Sequence, residues 1–146
     1  MTIYDALCCG GTPPVLTGEY APAGSLGFAV LSAGQGGALF AAAGQRLARR
    51  FSGLPAALER LGGAPAGVRA DLAWVLPLFA FLPVQLRFWR ADEEFPAQLQ
   101  FFWDRSTPQL LHYETLFYAA GYLVQRIEAA LSEELLCTGG LPAAER

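Results

Sequence analysis

Two runs of alternating residues on either side of a short acidic loop constrain this chain more than any other stretch. In Pro83 to Arg90, Val84, Leu86 and Phe88 fall on one side of an extended chain, and Gln85, Arg87 and Trp89 on the other. In Ala97 to Asp104, Leu99, Phe101 and Trp103 share one side, and Gln98, Gln100 and Phe102 the other. Successive side chains of a strand point to opposite faces, so each run offers one apolar face to a core. The six residues between them, Ala91 to Pro96 (ADEEFP), are short enough to close an antiparallel hairpin. Trp89 and Phe102 on the more polar side imply that this side is partly covered too.

A chain of 146 residues, 53% hydrophobic and 16% charged, has the bulk for one self-sufficient core and too little for two. A single domain over residues 1–146 is expected, with 1–14 and 137–146 as loosely packed ends. Val15 to Tyr20 reads as a short extended piece, Ala21 to Ser25 as a connector and Leu26 to Leu31 as a strand. The Gly-rich Ser32 to Gly37 precedes a helix but has neither the phosphate-loop ending nor the dinucleotide spacing, so a plain turn is favoured. Ala38 to Phe51 is helical, with Leu39, Ala43, Leu47 and Phe51 on one face. A second short helix, Leu54 to Leu61, stops at Gly62-Gly63.

Val68 to Phe79 is apolar on both faces, as a central strand would be, and Pro77 must end it or force a bulge because it cannot donate a ladder hydrogen bond. From about His112 to Leu131, Leu116, Phe117, Ala120, Leu123, Val124, Ile127 and Leu131 form the core stripe of a long C-terminal helix. The predicted fold class is therefore α+β: an antiparallel sheet with a central hairpin, packed against two to three helices.

The formal net charge of −3 gives no general attraction to phosphate, which disfavours nucleic acid as a partner. The longest apolar run, Leu72 to Val84, is shorter than the roughly 20 residues of a spanning helix and is interrupted by Pro77 and Pro83, so no membrane partner is expected. Three cysteines, the adjacent Cys8 and Cys9 and the distant Cys137, favour reduced thiols and a cytoplasmic protein. The high apolar content suggests surface buried between subunits, hence a homodimer.

Three adjacent carboxylates, Asp92, Glu93 and Glu94, repel one another unless a cation, an arginine or solvent relieves them. The default reading is a solvated turn in which Asp92 or Glu94 accepts backbone N–H bonds. The competing readings put Mg²⁺ or Ca²⁺ on Asp92 and Glu94, or acid–base chemistry in a cleft shared with Arg87, Arg90 or His112. His112, the only histidine, stands beside Glu114 at a helix start, and no motif places a nucleophile near it. Arg87, Trp89, Arg90, Asp92, Glu93, Glu94, His112 and Glu114 form the candidate site for a protein or small-molecule partner. No residue is assigned a catalytic role and no cofactor is expected.

With the run Trp89 to Pro96 (WRADEEFP), then Phe102, Asp104 and Glu114, the chain resembles a bacterial family known as domain of unknown function 3786. The matching residues are Trp89, Asp92, Glu93, Glu94, Phe95, Pro96, Phe102, Asp104 and Glu114, and Trp103 departs from the pattern by separating Phe102 from Asp104. The resemblance implies an intracellular protein and brings no reaction with it. Some members are joined to iron–sulfur modules, but this chain has no ferredoxin-like cysteine series. The expected function is that of a non-enzymatic binding or accessory module; the alternative is a ligand- or cation-binding protein or enzyme using the acidic turn.

Overall fold

The computed structural model describes residues 15–27, 36–79 and 82–138. Its elements in chain order are β1 (Tyr20–Pro22), α1 (Gly36–Ala48), α2 (Leu54–Arg60), β2 (Ala64–Pro65), β3 (Leu72–Phe79), β4 (Leu82–Trp89), β5 (Gln98–Asp104) and α3 (Tyr113–Thr138). The five strands form one sheet in the order β1-β5-β4-β3-β2, with every pairing antiparallel. The fold is thus α+β, and its centre is the predicted hairpin. β4 and β5 pair from Val84 opposite Trp103 to Trp89 opposite Gln98.

Alternation places the core as expected. Val84, Leu86, Phe88, Leu99, Phe101 and Trp103 are buried on one face, joined by Leu72 and Leu76 of β3. Each such side chain contributes about 1.5–3 kcal/mol by leaving water, before the entropy cost of ordering it. Pro77 produces the bulge its missing N–H requires: the β3–β4 register shifts between Pro77 and Phe79. β3 begins at Leu72 rather than Val68, four residues later than the sequence suggests.

All three helices pack into this same core. α1 closes on β5 at Gly44, where a Cβ atom would lie 3.3 Å from the backbone nitrogen of Leu99. A glycine there lets the helix sit low on the strand. α1 ends at Ala48, short of the expected Phe51, because Phe51–Gly53 tightens into a 3₁₀ turn. α2 stops as its Gly-Gly sequence requires. Gly62 takes φ +84° and bonds the carbonyl of Glu59 at 2.9 Å, and Gly63 bonds that of Leu58 at 2.9 Å, so two terminal carbonyls are satisfied.

α3 buries Leu116, Ala120, Leu123, Val124, Ile127 and Leu131 and runs alongside α1 in the same direction. Their contacts advance together: Phe40 against Phe117 (centroids 6.3 Å), Arg46 Nε to Glu128 Oε1 (2.6 Å), and Arg50 Nη1 to Ser132 Oγ (3.3 Å). α2 joins them through Arg60 Nη2, which donates to the Ala130 carbonyl at 2.7 Å.

Near the N-terminus the observed strand differs in its bounds from the sequence reading. The ladder contact with β5 is made by Tyr20–Pro22, which joins the end of the piece read as extended to the start of the stretch read as a connector, and Leu26 lies in a 3₁₀ turn rather than opening a strand. Most of Leu26 to Leu31 and of the Gly-rich segment lies outside the described residues, as do Cys8, Cys9 and the ends expected to be loose at 1–14 and 137–146, except that Cys137 and Thr138 form the end of α3. Among the described residues no helix is long and apolar enough to cross a membrane.

Candidate functional site

The acidic turn caps the β4–β5 hairpin, and residues Ala91 to Pro96 are all exposed. Asp92 is committed to holding its shape. Its Oδ1 accepts the backbone N–H of Glu94 at 2.9 Å and of Phe95 at 2.7 Å, while its own N–H donates to the Phe95 carbonyl at 2.9 Å. This is the Asx-type closure that an aspartate in a turn favours. A second aspartate steadies the neighbouring backbone: Asp71 Oδ2, just before β3, accepts the Arg90 N–H at 2.7 Å.

Glu93 and Glu94 are left without an ion pair among the described residues. Beside them Phe95 is 58% exposed, a large apolar ring held in water by a turn whose backbone is closed. Phe95 carries part of the family resemblance but was absent from the candidate site. The signal that could have found it is its place between two acids and Pro96, where no strand face exists to bury it.

The remaining candidates do not gather around the turn. The Arg87 guanidinium lies 3.8 Å from the centroid of the Phe102 ring, and its Nε donates to Gln85 Oε1 at 2.8 Å. That contact half-covers the polar side of the sheet, with Gln85 only 4% exposed and Trp89 half-buried. Arg90 reaches toward Phe51, 5.1 Å from the ring centroid, on the helical side. His112 and Glu114 are exposed at the start of α3, beyond the far end of β5. The seven residues of β5 put them roughly 20 Å from the acidic turn. The described residues contain no group of three or more His, Cys, Asp or Glu side chains placed to hold a metal ion.

The far end of β5 holds a carboxylate outside the candidate site. Asp104 is fully buried. Its Oδ1 accepts from Thr17 N (3.2 Å), Thr17 Oγ1 (3.1 Å), Ser106 N (2.9 Å) and Ser106 Oγ (2.6 Å), and its Oδ2 accepts from Gly18 N (2.9 Å). Burial pushes its pKa up, but the side-chain and backbone bonds from Ser106 and the backbone bonds from Thr17 and Gly18 outweigh burial and hold it at about 2. Burial, and secondarily the Asp104 charge, raises the pKa of Tyr20, which pairs with Asp104 across the β1–β5 ladder. Outside this cluster, the Arg105 Nε to Glu19 Oε2 ion pair (2.9 Å) adds an exposed tie. Asp104 therefore fastens β1 to the sheet. The spacing Asp104-Arg-Ser106 was a readable local signal; the contribution of Thr17 and Gly18, 86 or more residues away, was not.

No match is found among curated proteins or solved structures. A family model described as a domain of unknown function (DUF3786) matches residues 35–126, more than half of the chain. That span takes in α1, α2, β2 to β5 and the first half of α3, with the acidic turn and Asp104 inside it. The chain belongs to the DUF3786 family.

Proposed function

We propose that the chain is a non-enzymatic binding module of the cytoplasm that presents the turn Asp92 to Pro96 to a protein with a basic, grooved surface. The observation that carries this reading is the division of labour within the turn. Asp92 spends its carboxylate on the Glu94 and Phe95 N–H groups, leaving Glu93, Glu94 and a 58% exposed Phe95 projecting together. Burying the ring in a partner's pocket contributes about 1.5–3 kcal/mol. The glutamates steer a positively charged partner and fix its orientation. Because the turn is already closed by hydrogen bonds, docking orders little new backbone. A negatively charged tip on a chain of net charge −3 favours a protein over a nucleic acid.

The test is photo-crosslinking in cells with benzoylphenylalanine replacing Phe95, and replacing the exposed Ala56 as a control. The expected result is a discrete protein adduct from position 95, absent from position 56 and lost in a Glu93→Arg/Glu94→Arg background. No discrete adduct at position 95, or an adduct indifferent to the charge reversal, overturns the proposal.

A further inference from the structure

The face of the sheet turned away from the core carries a charge that the fold holds still. Along β4, Gln85, Arg87 and Trp89 project on the side opposite Val84, Leu86 and Phe88, against which the described helices pack. The Arg87 side chain leans along the strand toward Gln85. Its Nε donates to Gln85 Oε1 at 2.8 Å, and its guanidinium carbon lies 3.8 Å from the centroid of Phe102, the residue level with Gln85 on β5. Gln85 is buried, so the anchor is itself fixed. These contacts leave the Nη donors unspent, and no carboxylate pairs with them among the described residues. Asp71, the acid just before β3, gives its Oδ2 to the Arg90 N–H at 2.7 Å instead.

Apolar side chains surround the place where that guanidinium lies. Val75 of β3 stands level with Gln85, and Pro22 of β1 level with Phe102, so Val75, Gln85, Phe102 and Pro22 form one row across four strands. In the next row Pro77 faces Pro83 across the β3–β4 ladder. Pro22 and Pro77 are exposed, and Val75, Pro83 and Phe102 are half-buried. Arg87 is half-buried too, in surroundings where water answers a charge less fully than at a free surface. A planar cation held in one orientation beside apolar surface is complementary to a molecule with an anionic head and an apolar body. Charge selects the head. Arg87 offers one positive charge on a chain of net charge −3, which balances a carboxylate but not a phosphate monoester of roughly −1.5 to −2.

We propose that this face binds a small amphipathic monocarboxylate, its head on the Arg87 Nη groups and its alkyl body along Val75, Pro77 and Pro83. The guanidinium gives up little further freedom on binding, because Gln85 and Phe102 already hold it. The site lies on a different surface from the acidic turn and needs nothing from it. An open face with one charged contact gives a dissociation constant on the order of 0.1–1 mM for octanoate.

Heteronuclear NMR titration of the full chain with butyrate, hexanoate, octanoate and uncharged octanol, at matched ionic strength, tests this. Octanoate should shift the Arg87 Nε–H and Val75 methyl signals saturably. Affinity should rise about twofold per added methylene, as for a body half-buried on the sheet. Octanol, lacking the charge, should bind about tenfold more weakly than octanoate. Arg87→Met, which keeps an unbranched chain over Phe102, should leave the core signals in place and bind octanoate no better than octanol. The proposal is overturned by shifts that are absent or centred elsewhere, by octanol binding as tightly as octanoate, or by Arg87→Met binding octanoate like the parent. A face already closed by a second copy, seen as movement of the Val75 signals on dilution, overturns it as well.

Discussion

The two ends of β5 hold carboxylates in opposite circumstances. Asp104 has no exposed surface and receives hydrogen bonds from Thr17, Gly18 and Ser106. At the other end, Glu93 and Glu94 stand in solvent with no ion pair among the described residues, beside an exposed Phe95. A buried charge persists only where donors surround it, so Asp104 marks where the chain invests in its own fold. Exposed acids with an apolar ring beside them receive no comparable bonds among the described residues. Asp92 stands between the two cases: exposed like its neighbours, yet bonded to the backbone like Asp104.

The comparison breaks most readily at Asp104. Asp104→Ala strips the acceptor from two buried donors of Ser106 and from the partly buried donors of Thr17 and Gly18, and should cost roughly 3 kcal/mol in urea unfolding, with β1 the first element to lose amide-exchange protection. If the loss is below about 1 kcal/mol, the buried cluster is not a fastening.

Acid titrates the same contrast. Because the folded pKa of Asp104 is depressed to about 2, its stabilisation is complete above the unfolded carboxylate value and vanishes as pH falls through the folded one. Between about pH 4 and pH 2 the parent should lose roughly 2 kcal/mol that an Asp104→Asn variant does not lose. Parallel pH–stability curves for the two proteins would remove the assignment. At the other end of β5, Asp92→Ala should cost only about 1 kcal/mol, the worth of a surface turn closure. A cost equal to that of Asp104→Ala would erase the distinction between the two ends.

How much of this was legible in the sequence follows from the range of the interactions. The hairpin faces, the α3 stripe, the bulge at Pro77 and the Gly62-Gly63 stop are set by neighbours a few residues apart, and each was readable from spacing. The β1 pairing was not. Tyr20–Pro22 sits in a turn-rich stretch and becomes a strand only because β5 offers it a ladder and Asp104 offers it a carboxylate. At the candidate site, the closure by Asp92 follows from how aspartates behave in turns and was readable. The separation of His112 and Glu114 from the acids was not, since it depends on β5 carrying the chain across the sheet before α3 begins. Alternation assigns faces only within strands, so it leaves Phe95, which stands between two of them, without one.

If Glu93, Glu94 and Phe95 at the tip of the hairpin are surplus to the fold, removing their side chains leaves stability unchanged. Urea unfolding of a Glu93→Gln/Glu94→Gln/Phe95→Ala variant, measured beside the parent at neutral pH, tests it most directly. Its stability should lie within about 0.5 kcal/mol of the parent, as for surface positions with no structural partner. A loss above about 1.5 kcal/mol would show instead that these side chains serve the fold.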